Sequence, residues 1–208
     1  MQSPRVFKLG PNVPRRGNTF SYFFGLFLLW LLGWRMRGDF PNVRKGMIII
    51  APHTSNYDGL VAVAGIMAMR LQLFFFVKDS AFVGPFGLVM KWFGARPVDR
   101  ENSKDLVGFT ARQYHAADAL MLAIAPEGTR NASPSWKTGF YWMAHQAGVP
   151  IIMVAFDYAT REIVMLGCFT PTGDIERDLP EIVAHYRDIT PRHTERLSAP
   201  LRTLRRPD

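Results

Sequence analysis

Three observations predict an α/β fold, a single domain with a mostly parallel sheet flanked by helices. Beyond Pro41, short apolar runs alternate with longer mixed segments of helix length. Those runs are apolar at nearly every position, so each strand needs cover on both faces, which crossover helices supply. The length of 208 residues suits one domain whose core is large enough to fold without staples.

The chain opens on a basic and then apolar stretch, 1–40. Residues 1–46 hold eight basic side chains (Arg5, Lys8, Arg15, Arg16, Arg35, Arg37, Arg44, Lys45) against Asp39 alone, so +7 of the net +8 lies there. Within it, FSYFFGLFLLWLLGW, Phe20 to Trp34, runs fifteen residues without a charge. As a helix it extends about 22 Å, short of the ~30 Å hydrocarbon core of a bilayer. It has no polar face, which sets it apart from an ordinary amphipathic surface helix. Arg15-Arg16 resembles the charged start of a signal peptide, yet the bulky, basic Gly33-Trp34-Arg35-Met36-Arg37 offers no cleavage site. The expectation is a retained, partly inserted membrane anchor, the alternative being a helix packed on the core. Each flanking basic residue near an anionic bilayer adds about 1 kcal/mol of attraction.

The remainder of the main domain, 41–188, carries candidate strands at 47–51 (MIIIA), 73–77 (LFFFV), 95–98 (ARPV), 120–125 (LMLAIA), 150–156 (PIIMVAF) and 162–169 (EIVMLGCF). Helices are expected between them at 57–70, 85–93, 102–117 and 136–147, with a last one at 176–188. Only Asp157–Arg161 separates the final two strands, which predicts a hairpin. The tail, 189–208, mixes Pro191, Pro200 and Pro207 with arginines and is expected to be loosely ordered. The single Cys168 excludes an internal disulfide and is expected to be a buried, inert thiol.

Ligand sites in α/β folds gather in the loops after strands, and two such loops carry chemistry. APHTSNYDG, 51–59, places His53 five residues before Asp58 directly after a strand. Five residues along one helix would leave the two about 140° apart. They meet only with His53 in the loop and Asp58 in the first helical turn; Pro52 favours that break, and Ser55 or Asn56 suits the cap. Read from these residues alone, the stretch is either a capping loop with an exposed histidine or a base with its orienting carboxylate. APEGTRN, 125–131, follows another strand; Gly128 permits a tight turn, Arg130 offers a fork suited to phosphate, and Glu127 sits beside it. A plain turn with a local Glu–Arg pair is the competing reading. FGARPVDRE, 93–101, adds Arg96 and Arg100, and AGVPII, 147–152, opens a buried strand with Pro150.

Taken together and in this order, the four stretches resemble the motifs of the glycerolipid acyltransferase family, of 1-acylglycerol-3-phosphate acyltransferase type, across about residues 47–155. His53, Ser55 and Asp58 match its His-x-Ser-x-x-Asp block; Gly94 and Arg100 match its second. Pro126, Glu127, Gly128, Thr129 and Arg130 match its third in full, and Val149, Pro150 and Ile151 its fourth. Pro52 and Asn131 depart from the common Asn and Ser, and the short chain resembles a compact bacterial branch.

The resemblance implies a membrane-associated enzyme that moves a fatty acyl group from acyl-CoA or acyl carrier protein to a lysophospholipid hydroxyl, with 1-acylglycerol 3-phosphate as first choice. Another lysolipid such as a lyso-ornithine lipid, a transacylase, or a silent membrane adaptor are the alternatives. His53 would be the general base and Asp58 its partner; backbone amides at the following helix start would hold the oxyanion. Glu127, Gly128, Thr129 and Arg130, helped by Arg100 and Arg96, would bind the acceptor, with Val149 and Pro150 on the acyl side. Lys137 is either a donor-phosphate contact or a helix-surface lysine. No cofactor is expected beyond the acyl co-substrate, no nucleic-acid partner, and no metal, since His115, His145, His185 and His193 lack ligand spacing. The expected location is the cytoplasmic face of a membrane, peripheral or monotopic.

Overall fold

A computed structural model describes residues 5–78, 84, 87, 94–98 and 105–205. Its strands are β1 (Arg35–Arg37), β2 (Lys45–Ile50), β3 (Phe74–Lys78), β4 (Ala95–Val98), β5 (Leu120–Ile124), β6 (Ile151–Asp157) and β7 (Glu162–Phe169). They form one sheet in the order β1-β7-β6-β2-β5-β3-β4. Every neighbouring pair is parallel except the β6–β7 hairpin, which is antiparallel. The helices are α1 (Thr19–Leu32), α2 (Tyr57–Met69), α3 (Leu106–Ala116), α4 (Gly139–Ala147), α5 (Ile175–Ala184) and the short α6 (Ala199–Thr203).

The strands are apolar throughout because the sheet is covered twice. On one face Met47, Ile49, Leu120, Leu122, Ile151 and Met153 pack against α3, α4 and α5 through Ala111, Phe140 and Ile182. On the other, Ile48, Met121, Ala123, Ile152 and Val154 meet α2 and α1 through Val61, Ala64, Ala68 and Leu29. Successive residues of each strand thus alternate between two cores, the period-2 geometry of a pleated strand.

The apolar N-terminal segment is a helix, opened by a reciprocal cap between Asn18 and Ser21 and closed by left-handed Gly33. Ser21, Gly25 and Leu29 bury one side of it. Gly25 permits this closeness, for a Cβ there would collide with the Ala68 and Met67 backbone of α2. The opposite side leaves Phe20, Phe23, Phe24, Phe27, Trp30 and Leu31 exposed. Among the described residues no helix is long and apolar enough to cross a membrane.

Several expectations shift. β1 was not anticipated, because a three-residue RMR strand gives no apolar run; it is held by pairing with β7. The helix expected over 85–93 lies, apart from Gly87, outside the described residues. Cys168 is exposed rather than buried, near the end of β7. The described part of the tail, 189–205, is packed, not loose. Leu197 and Leu201 join the first core, and Thr194–Arg196 form a 3-10 turn.

Candidate active site

β6, β2 and β5 are consecutive in the sheet and parallel, so their C-terminal ends share one edge. Each is followed by a loop that contributes to a single cluster. From β2, the chain passes through the cis Ala51–Pro52 peptide to His53. Asp58 sits in the first turn of α2 and is 1% exposed. The imidazole Nδ1 lies 3.0 Å from Asp58 Oδ2, the loop-and-helix arrangement that the spacing requires.

Asp58 is the centre of the local structure. Its Oδ2 also accepts the N–H groups of Thr54 and Ser55, each at 3.0 Å. Its Oδ1 accepts the hydroxyl of Tyr158, which follows β6. These donors, spread over both oxygens, fix the carboxylate's orientation and so the place of the ring. An ionised carboxylate can only accept, so Nδ1 carries the imidazole proton and Nε2 is the basic nitrogen. Burial, reinforced by the hydrogen bond to Asp58, raises the Tyr158 phenol well above its ordinary pKa, so it remains a donor.

Five of the amides around the helix start expected to hold an oxyanion already have partners. Those of Thr54 and Ser55 bind Asp58, that of Tyr57 binds Ser55 Oγ at 3.1 Å, and those of Asp58 and Gly59 turn back to the carbonyls of Ser55 and Asn56. The helix cap is likewise formed by Asp58 and Ser55, while Asn56 makes no side-chain cap bond.

Glu127, in the loop after β5, takes a different place from the one expected. It is 3% exposed and its Oε2 accepts the His53 backbone N–H at 2.6 Å. It braces the histidine's main chain from beneath instead of reaching the rim. Burial pushes its pKa up, partly offset by the His53 N–H and by Ser198. Gly128 takes the left-handed φ of 67°, and a Cβ there would strike Lys137, whose Cε would be 2.8 Å away. Lys137 therefore lies across this loop, ahead of α4 and not on its surface; its N–H bonds Pro126 O at 2.7 Å. Thr129 Oγ1 accepts the Asn131 N–H. Arg130 is exposed and, among the described residues, makes no ion pair.

The remaining expected residues are not gathered in. Arg96 lies in β4, its guanidinium 4.1 Å from the Phe74 ring and within reach of Gln113, partners outside both loops. Val149 and Pro150 precede β6, at the opposite edge of the sheet, and Val149 is a core residue. Arg100 lies outside the described residues.

Sequence reasoning missed the tail's part in the cluster. Thr190 O accepts the Tyr158 N–H, the His193 N–H reaches Thr54 Oγ1, and Arg196 Nη1 reaches Thr54 O. The Arg192 guanidinium stacks 4.4 Å over Tyr57. Ser198 accepts Trp136 Nε1–H at 3.0 Å and neighbours Glu127. None of these residues has a local spacing signal, because their partners lie over a hundred positions away in some cases.

A family model described as Acyltransferase matches residues 35–157. The human 1-acyl-sn-glycerol-3-phosphate acyltransferase beta is 29% identical over 145 residues, covering 66% of this chain and 49% of that protein. The Escherichia coli 1-acyl-sn-glycerol-3-phosphate acyltransferase is 28% identical over 162 residues, covering 74% and 64% respectively. The chain thus spans about half to two-thirds of these relatives. Its fold resembles the crystal structure of the 1-acyl-sn-glycerophosphate acyltransferase PlsC from Thermotoga maritima, with a TM-score of 0.55 at 16% identity over 76% of this chain and 71% of that one.

Proposed function

We propose that this chain, which belongs to the acyltransferase family, moves a fatty acyl group from a thioester to the free hydroxyl of 1-acylglycerol 3-phosphate, giving phosphatidic acid. The observation that carries the reading is the His53–Asp58 pair at the strand ends. The names of the curated relatives favour this acceptor over other lysolipids.

An alcohol is a poor nucleophile at neutral pH and needs a positioned base. His53 Nε2 removes the hydroxyl proton as the oxygen attacks the thioester carbonyl, and Asp58 stabilises the imidazolium. The tetrahedral intermediate collapses by breaking the C–S bond, and the departing thiolate takes the proton back from His53. No acyl-enzyme forms. Cys168 supports this, since it pairs with Ile152 at the far end of β6 from His53. Exposed Arg130, together with Lys137 across Gly128, forms a cationic rim suited to a phosphate. Acyl-CoA or acyl carrier protein serves as donor.

Both substrates are amphiphiles, and the exposed apolar side of α1 supports a shallow insertion at the cytoplasmic face that brings the site to where lysolipids reside. The purified chain, given labelled acyl-CoA and a panel of lysolipids, tests the reading. Transfer to 1-acylglycerol 3-phosphate is expected to dominate. Transfer only to a phosphate-free acceptor would refute the acceptor and the role of Arg130 together.

A further inference from the structure

A cavity of about 1000 Å³ lies apart from the His53 cluster, between the end of α1, β1 and the segment leading from the N-terminus. Four cations line it, Arg5, Lys8, Arg35 and Arg37, against two carboxylates, Asp39 and Glu162. Glu162 is already shared: Arg35 Nε reaches one of its oxygens at 2.8 Å and Arg37 Nε the other at 2.6 Å. Among the described residues Arg5 and Lys8 carry no ion pair and both are exposed. Their position is fixed by the fold. Arg5 O accepts the Met36 N–H at 2.8 Å, and Phe7 is buried against Phe40.

The rest of the lining is apolar, with Leu29, Trp30 and Trp34. Trp30 belongs to both surfaces. It borders the cavity, is 42% exposed, and its ring lies 6.0 Å from that of Phe27 on the bare side of α1. A basic chamber thus opens onto an exposed apolar stripe, with a tryptophan at the junction where such rings prefer to sit.

We propose that this cavity is a second lipid site, which takes the phosphate-bearing headgroup of an anionic membrane phospholipid while the acyl chains follow the exposed side of α1. Charge complementarity selects the headgroup, and the volume is ample for a phosphate with its glycerol. The occupant also orients the enzyme. Trp34 forms one wall and packs edge-on against Tyr158, ring centres 5.0 Å apart, so the site is one aromatic layer from the Asp58 cluster. A lipid held there keeps the catalytic edge of the sheet against the bilayer.

The inference rests on the membrane reading of α1, and the test separates the two. The full chain is sedimented with phosphatidylcholine vesicles, with and without phosphatidylglycerol. The wild type is expected to prefer the anionic vesicles by about tenfold or more. R5E/K8E should lose that preference yet bind phosphatidylcholine as the wild type does. R187E/R202E, which reverses two exposed arginines outside the cavity, should keep it, both variants being checked for an unchanged melting temperature. Retention of the preference in R5E/K8E, or equal loss in both variants, overturns the site. Equal wild-type binding to both vesicles overturns it while sparing the membrane reading; binding to neither overturns both.

Discussion

Asp58 holds His53 through one oxygen and is itself held through the other by Tyr158. A hydrogen bond to a charged, buried group contributes about 1.5–3 kcal/mol, and here it fixes the carboxylate that fixes the ring. Y158F should therefore lower kcat by about tenfold with KM nearly unchanged, because the phenol touches the dyad and not the acceptor. Steady-state kinetics would contradict this by showing a raised KM at constant kcat. Glu127 makes a prediction about stability. Its raised pKa means that the native state binds this proton more tightly than the unfolded state. Stability then falls as pH rises from the ordinary glutamate value through the raised one, and is flat above it. E127Q keeps an oxygen for the His53 N–H and removes the titration. The wild-type-minus-variant difference in urea unfolding should decline across this window; a flat difference would mean that Glu127 titrates normally. The five-residue spacing and the proline permitted a His53–Asp58 contact, and the resemblance of the four stretches to a known family selected it over a plain capping loop. Tyr158 was not, because a tyrosine after a strand carries no local sign of the carboxylate that it meets a hundred residues earlier in the chain.

At the scale of elements, apolar runs located six of the seven strands to within about two residues, since burial on both faces makes a strand read continuously. β1 escaped because its side chains alternate exposed, buried, exposed over only three residues. The tail was misread for a related reason. Its prolines and arginines suggest disorder, but Leu197 and Leu201 are spaced to drop into a core made by distant helices. Proline in this segment accompanies a strap crossing the strand ends, where few repetitive backbone bonds are needed. L197A should thus cost about 2–5 kcal/mol, the range for a buried leucine. Thermal or urea unfolding would decide the matter, since a loosely ordered tail predicts a change within about 0.5 kcal/mol.

In the whole molecule, the sheet order puts β6, β2 and β5 side by side, and the three loops that leave them meet at one edge. The motif stretches named two of those loops; the third, with Tyr158, and the tail that closes over them follow from topology. The same topology carries Val149 and Pro150 to the other edge and leaves Arg96 on a peripheral strand. Motif order thus indicated the acyltransferase family, while the placement of the motif residues depends on the strand order. The exposed apolar side of α1 and the basic cavity beside it lie next to each other and share Trp30, the arrangement on which the proposed lipid site rests. The central claim is that His53 is the base of an acyl transfer, and the direct measurement is the initial rate of wild type and H53A with acyl-CoA and 1-acylglycerol 3-phosphate. A fall of about 10³-fold at unchanged melting temperature is predicted. Turnover within a few-fold of wild type in H53A would contradict the account.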